Sequence, residues 1–170
     1  MKITARIGLC LLIVGLLGTV AFAQGCPVPT GDVVLTVSGA IALEDENGVL
    51  QFDMAMLEAL PYTDYEVEDP WLGTQVYGGV ELGVLLDYVG IPADAARIVT
   101  VASDGLEVVI EARDALYYPI LLAFMSDGDE IIGSMGGPVK LVFPYQIEGV
   151  EDLYAPEVWS WFVVELRVEY

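Results

Sequence analysis

The chain has 170 residues, with 26 Asp and Glu against 6 Lys and Arg, no histidine, and a net charge of −20. So acidic a chain repels nucleic-acid phosphates and anionic lipid surfaces, which argues strongly against both as partners. The missing imidazole excludes Ser-His-Asp and Cys-His catalysis and every zinc site that uses histidine.

The N-terminus reads as a leader. Lys2 and Arg6 flank the start of an apolar run over 7–22, and Ala21-Phe22-Ala23 matches a small-residue cleavage site before Gln24. The run is shorter than the about 20 residues a membrane-spanning helix needs, and no later stretch is apolar enough to be a span. The expectation is a signal peptide over 1–23 and export to the periplasm or the extracellular space. Lipidation at Cys26 is the rival, which Gln24 fits poorly. Cys10 leaves with the leader, so Cys26 has no internal disulfide partner. Residues 24–32, punctuated by Pro27, Pro29 and Gly31, read as a flexible lead-in. Residues 33–170 suffice for one domain with its own core.

Val33 to Ser38 alternates as a strand does, with Val33, Leu35 and Val37 on one face. Glu44-Asp45-Glu46-Asn47-Gly48 is a polar turn ending in a hairpin signal, and its carboxylates lack the spacing of an EF-hand. Asp53 caps a helix predicted over 54–60, which Pro61 ends. Tyr62 to Asp69 reads as a strand whose outer face carries Asp64, Glu66 and Glu68, either solvated or bridged by a cation. Pro70-Trp71-Leu72-Gly73 breaks that strand. Trp71 is either a core aromatic or a pocket wall.

Leu82, Leu85, Leu86 and Val89 form an apolar helical stripe, closed by Gly90 and Pro92. Arg97 to Ser103 and Leu106 to Glu111 read as strands joined by Asp104-Gly105. A helical turn over 113–117 and a buried strand over 120–125 follow, and Asp127-Gly128-Asp129-Glu130 is another turn. Gly136-Gly137-Pro138 then leads into a short buried strand, Val139 to Phe143. Its one charge is Lys140, the only lysine beyond the leader.

The loop over 145–156 offers Tyr145 and Tyr154 as binding candidates, because loops on a rigid scaffold often carry such residues. A final strand is predicted from Val158 to Val168. Its core face would hold Val158, Phe162, Val164, Leu166 and Val168. Trp159 and Trp161 would stand on the other face, lining a cleft or packing a second layer. Together these elements predict an α+β architecture, a mixed and mainly antiparallel β-sheet with two short helices.

Four stretches in this order carry a resemblance: Gly79-Val80-Glu81-Leu82, Ser103-Asp104-Gly105, Gly136-Gly137-Pro138-Val139-Lys140-Leu141-Val142-Phe143-Pro144, and Trp159-Ser160-Trp161-Phe162-Val163. They resemble the molybdopterin-binding domain of the sulfite-oxidase family over about residues 33–168. The resemblance implies that fold, and molybdopterin enters only through it. It also implies a cysteine thiolate on molybdenum, placed before the Gly-Val-x-Leu helix. The matching segment, 66–78, holds none, so the metal ligand that the resemblance calls for is missing there.

Three functions follow as expectations. The first is a non-catalytic module binding a small molecule or a protein partner, through Trp71, Ser103, Asp104, Lys140, Tyr145 and Trp159. The second is a molybdopterin-dependent oxidoreductase with unusual metal ligation. The third is an acidic cation-binding or structural protein. No set of catalytic or metal-binding residues is complete in the sequence.

Overall fold

A computed structural model describes residues 26–170. The leader expected over 1–23 lies outside the described residues. Ten strands form two five-stranded sheets. In the first sheet, β2 (Val49–Asp53), β1 (Val33–Gly39), β10 (Val163–Glu169), β5 (Arg97–Ala102) and β6 (Glu107–Glu111) lie side by side in that order. In the second, β3 (Tyr62–Asp69), β4 (Gly73–Glu81), β7 (Leu121–Ser126) and β8 (Asp129–Glu130) run in sequence, and β9 (Lys140–Val142) pairs with β7. Among the described residues only β1 and β10 pair in parallel, and the other ladders are antiparallel. The mixed, mainly antiparallel α+β architecture is therefore the one expected, divided over two sheets.

Four short helices accompany the strands, α1 (Met54–Glu58), α2 (Leu82–Val89), α3 (Ala112–Tyr117) and α4 (Val150–Leu153). The sequence predicts two. The helical turn expected over 113–117 is α3, and α4 is too short to show a helical repeat, so periodicity alone does not reveal it. Asp53 caps α1 through an accepted hydrogen bond from Met56 N (2.9 Å). The same carboxylate accepts from Thr30 N and Gly31 N, both at 2.8 Å, and so ties the end of the lead-in to the domain. These backbone donors hold the Asp53 carboxyl below its ordinary value.

α2 presents Leu82, Leu85, Leu86 and Val89 to the interior, all with no exposed surface. Each contributes about 1.5–3 kcal/mol by leaving water. Gly90 ends α2 with φ +71°, a left-handed conformation that glycine adopts without strain. The apolar cluster is continuous from Leu35, Phe52, Ile98 and Leu166 of the first sheet, through α2, to Val80, Leu122 and Leu141 of the second. Among the described residues no helix is long and apolar enough to cross a membrane.

The last strand departs from its expected course. β10 begins at Val163, and the Trp159-Ser160-Trp161 segment precedes it as irregular backbone after a 3-10 turn at 156–158. Phe162 has φ +58°, and the β10–β5 register shifts between Val163 and Glu165. Either change breaks a two-residue alternation. Val163, Leu166 and Val168 are consequently buried, while Val164 turns outward.

Candidate functional site

Three of the four motif stretches, those of Ser103, Gly136 and Trp159, meet in space. Phe162 is the knot: its carbonyl accepts from Ser103 N (2.9 Å), and its N–H donates to the Gly136 carbonyl (2.7 Å). Leu141 N donates to the Ser160 carbonyl (2.8 Å), and Val163 N to the Val139 carbonyl (2.9 Å). A positive φ at a bulky aromatic costs about 1–3 kcal/mol, and hydrogen bonds on both sides hold it. Gly136 is required twice over. Its φ is +94°, and a Cβ there would meet the Trp161 ring at 2.8 Å.

Beneath this knot lies a buried ion pair. Lys140 Nζ is 2.6 Å from Asp69 Oδ2, and neither side chain has exposed surface. Tyr77 completes the triad, its hydroxyl donating to Asp69 Oδ2 (2.7 Å) and accepting from Lys140 Nζ (2.8 Å). The other carboxylate oxygen of Asp69 accepts from Trp71 N (2.8 Å) and Leu72 N (3.0 Å), so one side chain both closes the β3–β4 turn and neutralises the lysine. Burial alone would raise the Asp69 carboxyl. The donors Lys140, Tyr77 and Trp71 together outweigh burial and hold it below its ordinary value. Burial lowers the Lys140 ammonium, opposed in part by Asp69. Burial and Asp69 both push the Tyr77 hydroxyl upward, so it stays protonated.

All three tryptophans of the sequence gather around this pair. Lys140 Nζ lies 4.6 Å from the Trp161 ring centroid, 5.5 Å from that of Trp159 and 4.8 Å from that of Tyr77. These are cation–π distances. Trp71 meets Trp159 and Trp161 nearly edge-on, at centroid separations of 6.4 and 6.1 Å. Outside the cage opens a groove of about 420 Å³, walled by Trp71, Trp159, Trp161 and Phe162 and edged by Asp104 and Glu157.

Of the six residues expected to bind a ligand, Trp71, Asp104 and Trp159 line this groove. Lys140 lies behind its wall with no exposed surface, so in this arrangement a ligand in the groove does not touch it. Ser103 joins the site through its backbone, and its exposed side chain is not among the groove's lining. Tyr145 faces a second cavity of about 450 Å³ that also contains Glu66, Glu68 and Glu151. Its ring packs edge-on against Trp159 at 5.2 Å. Burial pushes its hydroxyl up to about 12, with the neighbouring Trp159 N–H pulling the other way. That indole N–H still lacks a hydrogen bond of good geometry, as does the buried Ser160 hydroxyl.

Asp69 and Tyr77 are the members that sequence reasoning misses. A signal for Asp69 exists: it alternates with Tyr65 and Val67 on the inner face of β3, opposite the solvated acids. A lone lysine inside an apolar strand also demands a buried carboxylate.

The family model for the oxidoreductase molybdopterin binding domain matches residues 47–151. The chain belongs to this family. Asp69, Tyr77, Asp104 and Lys140 fall inside the matched range; Trp159 and Trp161 follow it. Among solved structures, the sulfane dehydrogenase SoxCD from Paracoccus pantotrophus is similar, with a TM-score of 0.64 and 18% identity. The match covers 79% of this chain and 37% of that one, and at this identity the likeness shows the fold alone. No curated protein matches in sequence.

The residues of this molybdopterin-domain protein do not fit a molybdenum–pterin centre held by a thiolate. The segment where the resemblance places the thiolate, 66–78, supplies Asp69 and Tyr77 instead, and both are committed to Lys140. Molybdenum in such a centre calls for soft sulfur. Cys26 lines a separate small cavity beside β2, where burial and Asp45 push its thiol upward, away from the thiolate form. A pyrophosphate needs free cations. Of the four cations among the described residues, Lys140 is buried against Asp69, and Arg97, Arg113 and Arg167 lie in surface ion pairs with none of them lining the groove.

A resident metal ion finds no better match. Asp45 spends its carboxylate on Asn47 N, Asn47 Nδ2 and Val49 N within its own turn. Among the described residues, no three Cys, Asp or Glu side chains converge to hold an ion.

Proposed function

We propose that this protein is an exported, non-catalytic binding module built on the molybdopterin-domain scaffold. One observation carries the reading. Where the family motifs meet, the interior is filled by the Lys140–Asp69–Tyr77 triad under three indoles, and an aromatic groove stays open above them. The triad is buried and its three side chains are bonded to one another, which turns their polar atoms inward and away from the groove. The scaffold's function then moves to the surface it still presents, in keeping with the separation of fold from chemistry.

Family membership favours a second reading, an oxidoreductase that takes molybdopterin without a protein thiolate. A pterin assay separates the two. Native protein would be purified from cells replete with molybdenum, denatured, oxidised and scanned for pterin fluorescence. The binding-module reading expects only background. A pterin released in stoichiometric amount would overturn it.

A further inference from the structure

We infer that the groove walled by Trp71, Trp161 and Phe162 and edged by Asp104 and Glu157 binds a small organic cation, of the quaternary-ammonium class. The inference rests on the binding-module reading and names its ligand. Trp71 is 52% exposed, an unusual state for so large an aromatic ring, and it stands nearly perpendicular to Trp161 at 6.1 Å. Two indoles at right angles form adjacent walls of a box, the arrangement that suits a cation attracted to electron-rich ring faces. The protein already uses this wall in that way, because Trp161 and Trp159 hold the Lys140 ammonium from the interior side of the groove.

Charge selects the sign of the ligand. Asp104 and Glu157 edge the groove, and no basic residue lines it. Asp69 neutralises Lys140 behind the wall, so the local field is set by the two carboxylates and by a chain of net charge −20. Anions are repelled.

Wall chemistry then selects the kind of cation. A small inorganic cation exchanges water for oxygen ligands, and the groove supplies too few of them. A quaternary ammonium spreads its charge over methyl groups and is weakly hydrated. It loses little on entering an aromatic box and gains from both the rings and the carboxylates. The volume of about 420 Å³ holds a molecule of that size together with an attached chain.

Choline chloride is the probe, titrated against intrinsic tryptophan fluorescence and by calorimetry. Sodium chloride at equal ionic strength and the uncharged isostere 3,3-dimethylbutan-1-ol are the controls. Choline is expected to saturate the signal and to bind about tenfold or more tightly than the alcohol. Trp71→Ala, which removes a ring 52% exposed, should weaken choline about tenfold. Asp104→Asn combined with Glu157→Gln should weaken it about threefold without changing binding of the alcohol.

Equal binding of choline and the alcohol would overturn the inference, as would a choline response no larger than that of sodium chloride. Either result leaves the module reading standing if pterin is at background. Stoichiometric pterin would overturn that reading, and this inference with it.

Discussion

Replacing Lys140 by methionine is expected to destabilise the protein by about 3–5 kcal/mol, because it strands the Asp69 carboxylate in the interior. For a domain of this size that is a fall in Tm of roughly 10 °C. Thermal and denaturant unfolding check it. Adding Asp69→Asn to the lysine variant should recover most of the loss. The amide keeps an acceptor for Trp71 N and Leu72 N, and no buried charge remains.

The pH dependence of that single variant has a defined sign. In the native protein the Asp69 carboxyl is held low, so the pair's contribution is present above the ordinary carboxylate value of about 3.9 and is lost as pH falls through the lower folded value. Without the ammonium, burial raises the carboxyl, and the variant loses stability as pH rises past about 4. The gap between native and variant should therefore be widest at neutral pH and narrow toward pH 3. A gap independent of pH would show that packing of the lysine stem, and not its charge, holds the site together.

Replacing Trp159 by alanine is the second large effect, about 3–5 kcal/mol. The indole is 3% exposed and packs against Tyr145 at 5.2 Å, Tyr77 and Trp71 at 6.4 Å, and Phe143 at 6.5 Å. Its loss opens a cavity beside the ion pair and lets water reach Lys140. Trp71→Ala, by contrast, removes a ring that is half in solvent and should cost about 1 kcal/mol or less. Denaturant unfolding of the two variants side by side reads the difference. Similar losses would mean that Trp71 is a structural element and not a groove wall.

Much of this arrangement is visible in the sequence, for reasons that are local. Asp104-Gly105 and Asn47-Gly48 mark their turns because the backbone there favours glycine, and both glycines adopt positive φ, at +89° and +78°. The 3-4 stripe of α2 shows because a buried helix repeats its apolar residues on one side. The convergence of the Ser103, Gly136 and Trp159 stretches follows from their resemblance to one family, and the hydrogen bonds of Phe162 show how it is built.

What the sequence conceals is tertiary. Asp69 and Lys140 are 71 positions apart, and no periodicity links them. The alternation from Val158 to Val168 looks unbroken, yet Phe162 reverses its phase. The cause is a left-handed residue fixed by partners on β5's turn and on the Gly136 turn, not by its own preference. The place of Tyr145 is likewise set by packing. It lies on the far side of Trp159 from the groove, facing the acids of β3.

The Lys140–Asp69–Tyr77 triad occupies the interior where the Ser103, Gly136 and Trp159 stretches meet. Elemental analysis of the native protein, purified from a molybdenum-replete host, tests this directly. A molybdenum-to-protein ratio at background is the predicted result. A ratio near one would contradict it, since a metal centre and its pterin would need donors that the Lys140–Asp69–Tyr77 triad does not leave free.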